Sequence, residues 1–407
     1  MLLPACAGRR PLPIGADGRP YTPAPGEPAL WAEAEREEKA LFTRARRYDD
    51  AQLHEYLARV GARVVPAGVK AAGGPAFTFT AISDPTLNAF AMPDGHVYVH
   101  TGLLSRLENE AQLATILARE TVHVTYRHAL GVAPHAGDAS ASGGGARGGA
   151  GRPRGRDLRG HALRGTALSR TAAAIAGLDL PLAAVASTTG FGRDLEREAD
   201  REGMRRLIDA GYDPREAPRA FAALAADADD RGTLETFLLG SRARLEERAE
   251  SMQALLAETS AAAAARPDTV KSTQEFESRL RTVVRENALL DLRAGRFALA
   301  QRQLDRVLVA SPPDPVAHLY YGDLYRLQAQ RSASAEAKDL DAKALASYQR
   351  AAALDPAYAD PYRQLAFLYY AEKDTGRARE AFQRYLTLKP DAADAARIRD
   401  YLVDLDR

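Results

Sequence analysis

Residues 118–123 place a glutamate and a histidine, Glu120 and His123, three residues apart in a segment with a helical pattern. Residues four apart on a helix share one face, so two histidines at that spacing can hold one zinc ion. A glutamate next to the first histidine then acts as general base for the metal-bound water. Position 119, where the first histidine of such a pair belongs, is an arginine. Because a guanidinium stays protonated and has no lone pair to donate, Arg119 cannot be a zinc ligand.

The chain has few residues that can bind metal. Its 407 residues include one cysteine, Cys6, and 8 histidines. A single cysteine excludes an internal disulfide, a Cys-x-x-Cys redox pair and a thiolate zinc cluster, so any metal must be held by histidines and carboxylates. The 55 lysines and arginines balance 54 acidic residues, giving a formal net charge of +1. This balance excludes nucleic-acid or membrane-surface binding driven by whole-chain charge.

The spacing of apolar residues predicts the elements that position these side chains. A helix that begins at Asp49 and Asp50 has a stripe at i, i+3, i+4 and i+7, made by Leu53, Tyr56, Leu57 and Val60. Other helices are predicted over 33–46, 109–130 and 193–210, and strands over 62–66, 76–82 and 97–100.

The C-terminal part of the chain is repetitive. Residues 348–356 match residues 382–390 at an offset of 34, which is the period of tetratricopeptide repeats. Such helix pairs stack because none of them buries its apolar face alone, and the stack leaves a concave surface for a partner. The pattern therefore predicts an α-solenoid that binds another protein or peptide.

Several motifs between residues 45 and 255 resemble, in order, those of the HtpX- and BepA-like zinc metalloendopeptidases, a gluzincin family. They lie at 88–99, 102–104, 113–114, 118–123, 127–128, 193–200 and 211–214. The repeats are similar to those of the BepA-like branch. This resemblance implies an α+β, predominantly helical fold, in which a gluzincin-type metallopeptidase domain with a small sheet precedes an α-solenoid of tetratricopeptide repeats.

Composition and resemblance together predict the domain boundaries. They are a leader over 1–29, a metallopeptidase-like domain over 30–259 with a flexible Gly/Arg loop at 136–160, a linker over 260–280, and repeats with a capping helix over 281–407. Residues 1–8 look like the tail of a bacterial lipoprotein signal whose apolar part is missing. Cys6 is then either a lipid-attachment site in an incomplete leader or an accidental cysteine.

The resemblance also implies roles for individual residues. Glu120 corresponds to the general base, and His123 and Glu196 to the second and third zinc ligands. Around these ligands it places Asp200 and Arg193, and in the cleft Asn88 and Arg242.

Two positions depart from the family, because Arg119 and Arg242 both stand where it has histidine; Arg242 lies six residues before Arg248. His123 and Glu196 are too few ligands for a tight zinc site. We therefore expect zinc to be absent or weakly bound, and Glu120 to be vestigial. In place of the metal, Arg119 is predicted to form ion pairs with Glu196, Glu120 or Asp200.

The other histidines offer weak alternatives. His128 is five residues beyond His123 and so about 140° around a continuous helix from it. His96 and His100 lie on the segment predicted to be the edge strand and could approach the cleft. The remaining histidines are predicted to be structural or surface residues; they are His54, His318, His135 and His161.

The leading interpretation is a zinc-less pseudo-peptidase that binds polypeptides through the edge strand of its cleft and through the repeats. By resemblance it acts in protein quality control on the periplasmic side of the bacterial cell envelope. The alternative is an active zinc metalloendopeptidase with a non-standard ligand set, and a third interpretation assigns the whole function to the repeats. No specific nucleic-acid partner is expected, and membrane contact is expected only through a lipid anchor at Cys6.

Overall fold

A computed structural model of the chain describes residues 11–131, 192–227, 242–263 and 268–405. The chain divides into two compact units, Met1–Arg279 and Leu280–Arg407. The expected fold class is confirmed: helices predominate, the first unit contains a small sheet, and the second is a helical repeat. Cys6, His135, His161 and the loop expected at 136–160 lie outside the described residues.

In its described part the first unit packs helices around one sheet. The helices are α1 Glu27–Arg44, α2 Ala51–Val64, α3 Ala67–Ala71, α4 Thr101–Leu104, α5 Glu110–Thr125, α6 Arg193–Asp209, α7 Glu216–Asp227 and α8 Arg242–Ala263. The predicted stripe of α2 is buried and continues to Val64. The strand predicted over 62–66 is therefore wrong, because burial of Val64 on the helical stripe outweighs the strand preference of valine.

The sheet has the strands β1 Thr78–Ile82, β2 Ala89–Ala91 and β3 His96–His100 in the order β1-β3-β2. β1 runs parallel to β3, whereas β2 runs antiparallel to it with Phe90 opposite Tyr98. Strands predicted over 76–82 and 97–100 are confirmed. The edge strand expected within 88–99 is confirmed for β2, whereas the edge position expected for His96 and His100 is wrong, since β3 lies between β1 and β2.

Helix α5 is the central element of the first unit, and all of its residues are buried. It begins after Asn109, whose side chain accepts a hydrogen bond from the backbone N–H of Gln112. It ends earlier than predicted, because Arg127 adopts a left-handed conformation with φ of 57°. A 3₁₀ turn over His128–Gly131 follows, so the direction of the chain changes immediately before His128.

Two segments differ from their predicted roles as leader and linker. Within the leader, Ile14 is buried and its N–H bonds the carbonyl of Thr125 at 2.9 Å, while α1 already begins at Glu27. In the predicted linker, α8 continues to Ala263, and the carbonyl of Lys271 accepts a hydrogen bond from Ala111 at 2.9 Å. These backbone bonds tie both segments to the first unit, which neither the composition nor the hydropathy of either segment reveals.

Antiparallel helices make up the second unit, and the helix α9 Gln274–Arg293 leads into it. They are α10 Phe297–Ala310, α11 Pro315–Ala329, α12 Ser334–Leu354, α13 Ala359–Ala371, α14 Thr375–Leu388 and α15 Ala395–Leu405. The 34-residue offset has a structural counterpart: Tyr348 and Phe382 are equivalent positions, and both are fully buried in one core. At the end of the stack, Tyr401 of α15 stacks on Phe382.

No helix of the described residues is long and apolar enough to cross a membrane.

Candidate functional site

The site predicted from the sequence lies where α5 and α6 pack against each other. Gly203 of α6 makes this close approach possible, because a Cβ atom there would stand only 3.2 Å from the Cα of Arg119. A larger residue would have to push the helices apart. The short separation brings residues 119, 120 and 123 of α5 close to residues 196 and 200 of α6.

Arg119 lies at the centre of this contact and is only 5% exposed. Its Nε donates to Oδ1 of Asp200 at 3.0 Å, and its Nη1 donates to Oε1 of Glu120 at 2.6 Å. Nη2 forms an ion pair with Oε2 of Glu196. The three nitrogens of one guanidinium therefore face three different carboxyl groups, including the two nearest acidic residues of α6.

A second guanidinium completes the arrangement. Arg248 of α8 donates from Nη2 to Oε2 of Glu196 at 2.7 Å, and its Nε lies 3.7 Å from Oδ2 of Asp200. We call Arg119, Arg248, Glu120, Glu196 and Asp200 the Arg119 cluster. Buried charges of one sign are costly without partners, and in this cluster each acidic residue of α6 contacts both guanidinium groups.

The protonation states follow from burial and from neighbouring charges. Burial acts to lower the pKa of Arg119, but the carboxylates of Glu120 and Asp200 outweigh it and raise that pKa. Burial, together with repulsion from Arg119, lowers the pKa of Arg248 to about 10. Burial raises the pKa of Glu120, although the charges of Arg119 and Arg248 act to lower it. The cluster thus joins two guanidinium groups to three carboxyl groups.

His123 lies beside the cluster and contacts a second histidine. Its Nδ1 is 2.9 Å from Nδ1 of His128, so one ring donates and the other accepts. Burial, and then the positive charge of Arg119, holds the pKa of His123 well below its usual range. On the far side of His128, Nε2 is 3.3 Å from a carboxylate oxygen of Glu198.

The prediction that His128 points away from His123 is wrong. It assumed a helix that continues to residue 130, whereas α5 ends at Thr125 and the left-handed Arg127 reverses the chain. The two imidazoles consequently meet edge to face, with ring centres 4.8 Å apart.

The remaining predicted residues lie outside the cluster. Arg193 is exposed in the first turn of α6, and Asn88 is buried immediately before β2. Arg242 is the first residue of α8, and it is Arg248, six residues further along, that reaches Glu196. Of the strand histidines, His96 lies 3.0 Å from Asp94, and His100 bonds Thr86 at 2.7 Å.

Sequence reasoning did not assign Arg248 or Glu198 to the site. The six-residue spacing from Arg242 did mark Arg248, because the resemblance pairs the histidine expected at position 242 with an arginine six residues later. Glu198 is two residues from Glu196, a spacing that predicts opposite faces of α6. Glu198 has a partner on its own face of α6 because the left-handed Arg127 turns the chain and brings His128 there.

The zinc that the resemblance implies requires at least three suitable side chains around one point. Among the described residues no group of three or more histidine, cysteine, aspartate or glutamate side chains is arranged to hold a metal ion. The guanidinium of Arg119 separates Glu120, Glu196 and Asp200, and His123 turns one nitrogen to His128. As arranged, these residues do not fit a tightly held zinc ion.

Comparison with known proteins gives the context of this arrangement. A profile of the family described as Peptidase family M48 matches residues 51–271, and a tetratricopeptide repeat profile matches 331–402. The beta-barrel assembly-enhancing protease of Yersinia pestis is 32% identical over 177 residues, which are 43% of this chain and 33% of that protein. The corresponding protease of Escherichia coli is 28% identical over 181 residues, 42% of this chain and 32% of that protein.

A more distant relative is the mitochondrial metalloendopeptidase OMA1 of Arabidopsis thaliana. It is 28% identical over 144 residues, which are 35% of this chain and 24% of that protein. The chain thus spans about a third or less of the length of these curated relatives.

Replacing Arg119 with methionine is expected to lower the free energy of unfolding by about 3–5 kcal/mol, because it removes one partner of a buried ion cluster and leaves its carboxylates under-compensated. Arg205→Gln on α6 is the matched control, because it breaks exposed pairs to Glu202 and Asp209 and should cost about 0–1 kcal/mol. Denaturant unfolding followed by circular dichroism measures both variants. Equal losses in the two would contradict a structural role for the Arg119 cluster.

Proposed function

Since this chain belongs to peptidase family M48, a zinc-dependent family, we propose that it is a member that binds polypeptides without zinc and without hydrolysing them. The observation behind this proposal is the Arg119 cluster. By resemblance the first zinc ligand belongs at position 119, and the guanidinium there pairs with Glu196, the carboxylate that the resemblance makes the third ligand. A fixed positive charge on α5 thus takes the electrostatic role of a metal ion between the two helices.

The state of Glu120 supports the same proposal. A general base must be ionised and must reach the water that it deprotonates. Glu120 is 1% exposed, its Oε1 is bonded to Arg119, and its Oε2 has no hydrogen-bond partner in the described part of the chain. Burial also raises the pKa of Glu120. This glutamate stabilises the cluster instead of activating a water.

The edge of the sheet offers a way to bind an extended polypeptide. Hydrogen bonds from His100 to Asn88 and from Met92 to His96 show that Asn88, Phe90 and Met92 turn their backbone groups to β3. In an antiparallel pair the backbone groups of successive residues alternate in direction. The N–H and C=O groups of Ala89 and Ala91 therefore point away from β3. Ala89 and Ala91 are each only 3% exposed, so a polypeptide strand pairs with these groups by β-augmentation once the segment that covers this edge moves aside.

The repeats support a second binding surface, because tetratricopeptide repeats expose a concave face to protein partners. The bacterial relatives are named for enhancing beta-barrel assembly. By similarity we propose that the bound polypeptides are envelope proteins and that this chain works on the periplasmic side, with Cys6 as its point of lipid attachment. If the repeats alone carried the function, the Arg119 cluster would serve only to stabilise the first unit.

The test of the missing activity is proteolysis of fluorescein-labelled casein. Wild-type protein is expected to release no chelator-sensitive fluorescence, whereas Arg119→His is expected to gain zinc-dependent cleavage because it restores the missing imidazole. The control is the double variant Arg119→His/Glu120→Gln, which should be inactive since it lacks the base. Casein cleavage by wild type that is abolished both by a chelator and by Glu120→Gln would establish the alternative, an active peptidase with a non-standard ligand set.

Binding at the edge strand is tested with Ala91→Pro. Proline removes an N–H that faces away from β3, which an edge strand tolerates, so the ladder with β3 should survive. The affinity for labelled casein, measured by fluorescence anisotropy, should fall roughly five- to tenfold for the loss of one backbone hydrogen bond. Ala91→Ser keeps the N–H and is the matched control. Unchanged affinity in a folded Ala91→Pro protein would show that β2 does not hold the polypeptide.

A further inference from the structure

A cavity of about 790 Å³ lies in the first unit, away from the Arg119 cluster. It is bounded by the C-terminal half of α2, by α3, by the segment leading into β1 and by the last turns of α6. Arg206, which lines it, is bonded to Thr121 and Thr125. These threonines lie on the opposite side of α5 from Arg119 and His123, because two residues of helix rotate the side chain by about 200°.

Arg206 is the most unusual residue in this cavity. It is 3% exposed, and its hydrogen bonds go to neutral groups: it donates to Thr121 at 2.9 Å and to Thr125 at 2.5 Å, and it lies over the ring of Tyr126. Its Nε has no hydrogen-bond partner among the described residues. Burial lowers its pKa to about 10, as expected for a cation that no adjacent carboxylate fully compensates.

The other charged groups of the lining add to this positive charge. Arg63 and Lys70 also border the cavity, and Arg63 pairs with Glu110 at 3.4 Å. The one acidic residue among the described lining is Asp209, which is 63% exposed and forms an ion pair with Arg205 at 3.0 Å. The lining therefore attracts an anion, and the guanidinium of Arg206 gains most from one because it is buried and no carboxylate of the described residues bonds it.

The rest of the wall is apolar and suits a hydrocarbon body. The volume of the cavity falls within the range of about 300–1,000 Å³ that holds small organic ligands. The larger apolar side chains in the lining are Val64, Val65, Pro66, Val69, Pro75, Phe77 and Phe79. A cavity with one buried cation and such walls complements an amphiphile, not a highly charged phosphate ester or a polar sugar.

We infer that this cavity binds a carboxylate amphiphile of the fatty-acid class. The carboxylate pairs with Arg206 near α5 and α6, and the hydrocarbon chain lies against the valine, proline and phenylalanine side chains. The inference does not depend on the proposed function, because the cavity shares no residue with the Arg119 cluster or with β2.

The test is isothermal titration calorimetry of the full chain with laurate, below the concentration at which laurate forms micelles. One laurate should bind per chain, whereas dodecanol, dodecyltrimethylammonium and butyrate should each bind at least about tenfold more weakly, because each lacks the anionic head or the apolar body. Arg206→Gln should weaken laurate binding by about tenfold or more, since it removes the buried cation.

A second variant and a control keep the outcome clear if Arg206→Gln fails to fold. Phe77→Asp places a carboxylate in a half-buried part of the wall and should weaken laurate binding by a similar factor. Lys39→Gln changes an exposed cation of α1, which pairs with Glu35 and does not line the cavity, and should leave binding unchanged. Absence of laurate binding, equal binding of dodecanol, or full laurate affinity in Phe77→Asp would each overturn the inference.

Discussion

The contact between Arg119 and three carboxyl groups determines how α5 and α6 lie together. Glu196 and Asp200 of α6 face α5 across a spacing so short that Gly203 leaves no room for a side chain. Two carboxylates buried at such a contact repel each other and lose their hydration, so a positive charge must lie between them. In a zinc-dependent family a zinc ion supplies this positive charge. In this chain the guanidinium of Arg119 can supply it permanently.

This substitution has opposite effects on stability and on chemistry. The guanidinium of Arg119 has three carboxyl partners and can hold α5 and α6 together without a metal ion. The sheet, the buried α5 and the long α6 are consistent with this, because they match the fold that the family resemblance implies. The same guanidinium occupies Glu120 and Glu196, while His123 pairs with His128. We therefore regard the fold as retained for its binding surfaces, with the ion cluster as the element that makes a metal unnecessary for folding.

The sequence predicted the features that depend on local periodicity and on charge. The stripe of α2 and the 34-residue repeat follow from spacing that is visible in the sequence. The partners of Arg119 on α6 were predicted from the family resemblance, because they lie on a different helix. It could not predict the contact of His128 with His123, which depends on one left-handed residue, Arg127. Nor could it place β3 inside the sheet, because strand order is set by tertiary pairing.

The central claim is that Arg119 takes the place of the metal ion. Its most direct test is the zinc content of the purified full chain, measured by inductively coupled plasma mass spectrometry after incubation with zinc and gel filtration. We predict far less than one zinc per wild-type chain, and a clear increase in Arg119→His. Retention of one zinc ion per wild-type chain, lost on replacing His123 with alanine, would contradict it.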